Sequence, residues 1–169
     1  IESVTKEPRR WGIPIRPLQR TFGDRVVVVG DAAGLVKPTT GGGIYYALLS
    51  GEVAAQAVDA ALAANDCSAR RLKGYEDEWK AMFGRELHIG YYARRLYEAL
   101  GDSQIERLLN GFLSGHVQHE LVSSREFSFD WHSGIILKAM GHRELGKVIR
   151  SFRPAVTPFL SRLSRSPYG

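Results

Sequence analysis

Apolar and polar positions alternate with a helical period over most of this chain, and one stretch breaks that pattern. Arg25 is followed by Val26 to Val29, a continuous β-branched run. Such a run, apolar on both faces, predicts a strand buried in a parallel or mixed sheet. Gly30 ends it, and residues 31 to 42 carry neither period and read as a loop. From Gly43 to about Ala64 the pattern predicts a helix, with Ile44, Ala47, Leu48, Ala55, Val58 and Leu62 at helical spacing. Gly51, Ala54 and Ala55 give it a small-residue face suited to close packing on a sheet.

Before the strand, residues 1 to 24 are irregular, with Pro8, Pro14 and Pro17. Trp11 to Ile15 suits a short edge strand, where proline is tolerated. After a turn at Asn65 to Ser68, a long helical stripe runs through Leu72, Tyr75, Trp79, Phe83, Leu87, Gly90, Ala93, Tyr97 and Leu100. Its length predicts a kink near Gly84 or Gly90. Asp102 or Ser103 is expected to cap a helix carrying Ile105, Leu108, Leu109 and Phe112. Shorter helices are expected at His116 to Val122, Trp131 to Met140 and Arg143 to Phe152. Pro154 and Pro158 then interrupt, and Phe159 to Leu163 suit a last turn. The fold class is therefore α+β and mostly helical, a short β element packed with several helices. Two parts are expected, residues 1–64 with the strand, loop and first helix, and residues 65–169 as a helical region.

Composition changes this picture little. The chain has 169 residues, is 44% hydrophobic and 24% charged, and has no run apolar enough for a membrane-spanning helix. It begins with Ile1 rather than Met and shows no signal peptide, which fits a fragment or a processed product. A single cysteine, Cys67 in a polar turn, precludes an internal disulfide and fits a reducing compartment. No metal site is expected: His116 and His119 share a helical face but lack further ligands. Asp130, Trp131 and His132 have no nucleophile signature around them, and no paired-carboxylate or triad arrangement stands out.

Charge matters more. The net charge is +5, and residues 138 to 169 carry seven Lys and Arg against Glu144 alone. Arginines there alternate with Leu145, Val148, Ile149, Phe152, Phe159, Leu160 and Leu163. Such a basic amphipathic segment suits either contact with an anionic membrane or a peripheral helix with a solvated face. Nucleic acid is not expected as a partner, because no recognised module or aromatic platform accompanies the charge.

The candidate chemistry lies in Arg25 to Leu49, RVVVVGDAAGLVKPTTGGGIYYALL. A buried strand ending in Gly30-Asp31 puts a carboxylate at the carboxyl end of a sheet, where ligands of open α/β folds sit. Gly41, Gly42 and Gly43 permit close backbone approach and lead into a helix whose free N–H groups favour partial negative charge. One end of the loop offers an acceptor and the other offers donors, which suits a ligand with a polyol and an electron-rich carbonyl. A strand–loop–helix with a glycine-rich turn and no ligand fits the same residues. It is not a phosphate-binding P-loop, since Lys37 precedes the glycines.

The stretch VVVVGDAAGLVKPTTGGGIYYALLSGEVAA resembles the second FAD-binding segment of the geranylgeranyl reductase family, within the flavoproteins similar to p-hydroxybenzoate hydroxylase. The continuation Tyr45 to Gly51 is closer to the reductases, and Tyr75, Trp79, Gly84 and Arg85-Glu86-Leu87 resemble the helix that follows there. The resemblance implies the carboxyl-terminal part of a p-hydroxybenzoate hydroxylase-like FAD-binding fold. It implies that Asp31 binds the ribityl chain, with Gly30 keeping the turn tight. Pro38 and Gly41 to Gly43 would lie along the isoalloxazine ring, and the amides of Gly43 and Ile44 would face its N1 and C2 carbonyl. Tyr45 and Tyr46 would border the flavin or a substrate channel, or else pack inward. Lys37 departs from the neutral residue of many relatives. The G-x-G-x-x-G segment for the FAD pyrophosphate is missing from this chain, so alone it is not expected to hold FAD tightly or to turn over.

The implied activity is hydride transfer from reduced flavin to carbon–carbon double bonds of an isoprenoid or prenyl lipid. NAD(P)H or another reductant would supply the electrons, and the location would be cytoplasmic, with peripheral membrane contact through the tail as an option. Another flavoprotein chemistry, such as a hydroxylase or a quinone-linked oxidoreductase, is the first alternative. A non-catalytic helical interaction module is the second.

Overall fold

The computed structural model describes residues 10 to 113, 115 to 152, 157, 158, 161 and 162. Ile1, Pro8, Pro154, Phe159, Leu160 and Leu163, all named above, lie outside the described residues.

The β-branched run forms less sheet than its composition predicts. β1 (Phe22–Gly23) pairs antiparallel with β2 (Val26–Val27), with Phe22 opposite Val27 and Gly23 opposite Val26. The Val28 N–H donates to the Thr21 carbonyl at 2.8 Å and extends this hairpin. Val27 and Val28 pack against the core, whereas Val26 is 53% exposed. The run is thus half-buried at its centre and exposed at both ends, and its pairing is a local hairpin rather than a parallel sheet. Trp11 to Ile15 forms no strand, and Trp11 is exposed.

The helices follow the sequence pattern closely. They are α1 (Ile44–Ala63), α2 (Ala69–Trp79), α3 (Arg85–Glu98), α4 (Asp102–Leu113), α5 (Gly115–Val122), α6 (Ser133–Gly141) and α7 (Arg143–Ser151). The irregularity expected near Gly84 is a π-helical turn, Lys80–Gly84, between α2 and α3. Such turns carry a surplus residue and widen the helix locally. At α4 the cap differs from expectation: the Gly101 N–H donates to Gln104 Oε1 at 2.9 Å, and the Gly101 carbonyl accepts the Ile105 N–H at 3.0 Å. Asp102 therefore lies in the first turn, and a side chain reaching back replaces the expected Asp or Ser cap.

The face that α1 buries also differs. Ile44 is 82% exposed, Leu48 70% and Leu62 64%, and Ala55 is exposed too. The buried residues are Tyr46, Ser50, Val53, Ala54 and Ala61. α1 has apolar residues on every side, so periodicity alone does not select its inner face.

The main core joins Ala33, Leu35, Tyr46, Val53, Ala54, Tyr75, Trp79, Phe83 and Leu87, from both sides of residue 64. Trp79 and Phe83 stack at 5.6 Å. A buried polar hub ties the hairpin to α2. Glu76 Oε2 accepts from the Thr21 N–H at 2.6 Å and from Thr21 Oγ1 at 3.0 Å, while Oε1 receives Lys80 Nζ at 2.6 Å. Trp79 Nε1 donates to Thr21 Oγ1 at 2.9 Å. Burial works against ionisation of Glu76, but the hydrogen bonds from Lys80 and Thr21 outweigh it and hold the carboxyl below its ordinary range.

Two further clusters organise the helical end. Leu96, Leu100 and Phe152 pack with Ile105, Leu108, Val148 and Ile149, and Val117, Leu121 and Leu145 pack with Phe112, Ile135 and Ala139. The apolar face of α7 is therefore spent on internal packing, which removes Leu145, Val148, Ile149 and Phe152 from the membrane-facing reading of the tail. Among the described residues no helix is long and apolar enough to cross a membrane.

Candidate cofactor site

From β2 the chain runs through Val28 and Val29 into a 3-10 turn, Gly30–Ala33. Its backbone is fixed by hydrogen bonds: the Gly30 N–H donates to Ser50 Oγ at 3.1 Å, Gly34 N–H to the Asp31 carbonyl at 3.0 Å, and Leu35 N–H to the Gly30 carbonyl at 3.0 Å. A Cβ at Gly30 would lie 3.0 Å from the Ala47 Cβ. The turn is thus pressed onto the first turns of α1, and the exposed Asp31 stands at the amino end of that helix.

The loop that follows closes on itself. The Lys37 N–H donates to the Gly42 carbonyl at 2.9 Å, and the Gly41 N–H to the Lys37 carbonyl at 2.7 Å. Gly41 has φ +76°, a conformation that side chains with a Cβ rarely adopt. Gly42 lies against the Lys37 side chain, whose Cε would be 3.0 Å from an added Cβ. Gly43 lies against Asp31, whose Cγ would be 2.9 Å from an added Cβ. The protein itself thus gives each glycine a local role, Gly41 through its positive φ and Gly42 and Gly43 through the side chains they lie against. The sequence reading had all three serve ligand approach.

Gly43, at the start of α1, has no side chain with which to cap the helix. Asp31 and this terminus adjoin. The acceptor and the donors read from opposite ends of the loop are folded onto one open face with Ala32, Thr40 and Ile44, all exposed.

Pro38 is not on that face. It is buried, and its ring packs on α3, where a Cβ at Gly90 would lie 3.2 Å from Pro38 Cδ. Its carbonyl accepts from Arg94 Nη1 at 3.2 Å. Tyr46 is also internal. It is fully buried, packs on Phe83 at 5.2 Å and donates its hydroxyl to the Asp130 carbonyl at 2.8 Å. Burial chiefly, with Glu86, Tyr45 and Asp130 adding to it, raises its hydroxyl well above the ordinary tyrosine range. Tyr45 is half-buried, and its hydroxyl accepts from Trp131 Nε1 at 3.2 Å. Inward packing describes Tyr46 fully and Tyr45 in part.

The segment Phe129 to Ser133, given no chemistry by the sequence reading, is drawn onto this loop. Lys37 Nζ meets Asp130 Oδ1 at 2.8 Å and the Phe129 carbonyl at 2.9 Å. Thr39 Oγ1 and His132 Nδ1 are 2.6 Å apart, and His132 Nε2 is 3.0 Å from the Phe129 carbonyl. The carbonyl requires a proton on Nε2, so in the neutral ring Nδ1 accepts from the Thr39 hydroxyl. The buried Glu86 of α3 accepts from the N–H groups of His132 at 2.6 Å and Ser133 at 2.9 Å, and so caps α6. Glu86 was detectable: it shares a helical face with Phe83 and Gly90, and an acid on a packed stripe requires a partner. The Lys37 charge is compensated here by Asp130.

The remaining candidates stay apart from the loop. His116 and His119 are exposed, and among the described residues no group of three His, Cys, Asp or Glu could hold a metal ion.

No family model matches the chain. Curated relatives do. The chain is 33% identical over 108 residues to digeranylgeranylglycerophospholipid reductase 2 of Methanopyrus kandleri, covering 63% of this chain and 27% of that protein. It is 40% identical over 106 residues to digeranylgeranylglycerophospholipid reductase of Methanoculleus marisnigri, covering 62% and 27%. Among solved structures, a geranylgeranyl bacteriochlorophyll reductase-like protein from Thermoplasma acidophilum superposes with a TM-score of 0.63 at 27% identity, over 83% of this chain and 33% of that one. Sequence and fold together relate the chain to part of an oxidoreductase. The relatives named here are geranylgeranyl-lipid reductases, and the chain spans about a quarter of the length of the curated relatives it matches.

Proposed function

We propose that the chain forms part of an FAD-dependent reductase that saturates double bonds of a prenyl lipid. The observation that carries the reading is the shared open face of the Asp31 carboxylate and the amino end of α1. Strand-end acceptors and helix-start donors suit a ligand with both hydroxyls and a carbonyl that gathers negative charge. The names of the relatives point to the substrate class.

The residues fit the cofactor. Asp31 accepts from the ribityl hydroxyls, with Gly30 holding its turn in place. The Gly41 to Gly43 backbone would hold the ring, and the Gly43 and Ile44 amides would offer donors to its C2 carbonyl region. FAD, when bound, supplies the hydride, and these residues bind and orient it. Pro38 acts from behind, by wedging the loop against α3. The adenosine and pyrophosphate require residues outside this chain.

The test is the visible absorbance of oxidised flavin in the purified complete protein, followed by reduction assays on lipids with geranylgeranyl chains. Asp31→Ala is expected to lower flavin occupancy, whereas His116→Ala leaves it unchanged. Equal occupancy in Asp31→Ala and wild type would remove Asp31 from the site.

A further inference from the structure

We infer that Lys37 and Asp130 hold each other's charge in balance beside the flavin ring and so keep either one from shifting the reduction potential of the cofactor. The inference rests on the flavin reading above. Lys37 Nζ would be 3.8 Å from a Cβ on Gly42, so the ammonium sits directly behind the backbone that would line the ring. Its side chain is 16% exposed, and its charge is met by Asp130 Oδ1 at 2.8 Å and by the Phe129 carbonyl at 2.9 Å.

Asp130 is not free to move away. Its N–H donates to Ser128 Oγ at 3.2 Å, and its carbonyl accepts from Tyr46 at 2.8 Å. The residues that follow are held by Glu86 and Thr39. A charge close to a developing charge acts more strongly the less water screens it, so the shielded Lys37 is the stronger member and Asp130, 40% exposed, the weaker. Two-electron reduction places negative charge on the ring, which a nearby cation favours and a nearby anion opposes. The pair sums to no net charge, so each member masks the other. Both are positioning residues that touch neither hydride nor substrate.

The test is the flavin reduction potential of the complete protein and its variants. Asp130→Asn unmasks the ammonium and is expected to raise the potential. Lys37→Met unmasks the carboxylate and is expected to lower it. The double variant is expected to return near wild type, Lys37→Arg to match wild type, and Thr39→Val, which loosens the same loop without changing charge, to leave the potential in place. Shifts of the same sign in both single variants, or no shift, overturn the inference and leave the flavin reading standing. Where a single variant retains too little flavin, the ratio of its affinities for reduced and oxidised FAD gives the same quantity, and an unchanged ratio again overturns the inference. A complete protein without flavin overturns both.

Discussion

Asp31 and Gly43 are in contact across the mouth of the loop: a Cβ on Gly43 would lie 2.9 Å from the Asp31 Cγ. The carboxylate thus reaches the amino end of α1 because residue 43 has no side chain. Gly43→Ala is expected to displace Asp31 and reduce flavin occupancy in the complete protein. Gly74→Ala, inside α2 with nothing within 4 Å of the added Cβ, is the control. It is expected to stabilise by about 0.5–1 kcal/mol through helix propensity, read from thermal denaturation, with flavin occupancy unchanged.

The Glu76 hub predicts an acid limb in stability. Glu76 has a depressed value in the fold, so between that value and the unfolded value near about 4.3 the unfolded chain binds more protons. Stability from this group is present above about pH 4.3 and is lost as pH falls through the folded value. Urea midpoints measured against pH are expected to fall less steeply in Glu76→Gln. Glu76→Ala, which strands the buried Thr21 N–H, is expected to cost about 1–3 kcal/mol near neutral pH.

At the alkaline end the sign reverses. Tyr75 is fully buried and donates to the Val28 carbonyl at 2.8 Å, and burial pushes its hydroxyl up to about 12. Its contribution is complete below the unfolded value of about 10 and is lost as pH rises towards the folded value. Spectrophotometric titration is expected to show a tyrosine that ionises only with unfolding, and Tyr75→Phe to remove its share of the alkaline loss.

The inner face of α1 gives a paired test. Val53→Ala is expected to destabilise the chain by about 2 kcal/mol, and Leu48→Ala to change it by less than about 0.5 kcal/mol. Equal losses in urea denaturation would mean that α1 packs through the face its apolar spacing first implies.

These contrasts show where the sequence is legible. α2, the π-turn and α3 were readable because Leu72, Tyr75, Trp79, Phe83 and Leu87 form one stripe among polar residues. α1 was not, because an apolar residue on every side leaves the choice of face to Tyr46 and Ser50, which need partners elsewhere. The Val26 to Val29 run has the composition of a buried strand, but pairing is non-local and here stops at a hairpin. Asp31 and the glycines are singled out by local chemistry, and the structure places Asp31 against Gly43. The Asp130 to Ser133 clamp could not be found this way, since Lys37 and Asp130 are 93 residues apart.

The π-turn at Lys80–Gly84 acts as a phase shifter between two carboxylates. Glu76, before it, points to the hairpin, and Glu86, after it, points to the start of α6. Winding the same five residues at regular α-helical pitch would rotate α3 by about 100° about its axis, whereas removing one of them would leave its phase nearly unchanged, so only the rewinding turns Glu86 away. Glu86 would then leave the His132 and Ser133 amides while Glu76 kept Thr21. The hairpin and the clamp behind the glycine loop are therefore kept in angular register by the widening of this turn, and a further insertion there is expected to disconnect the two.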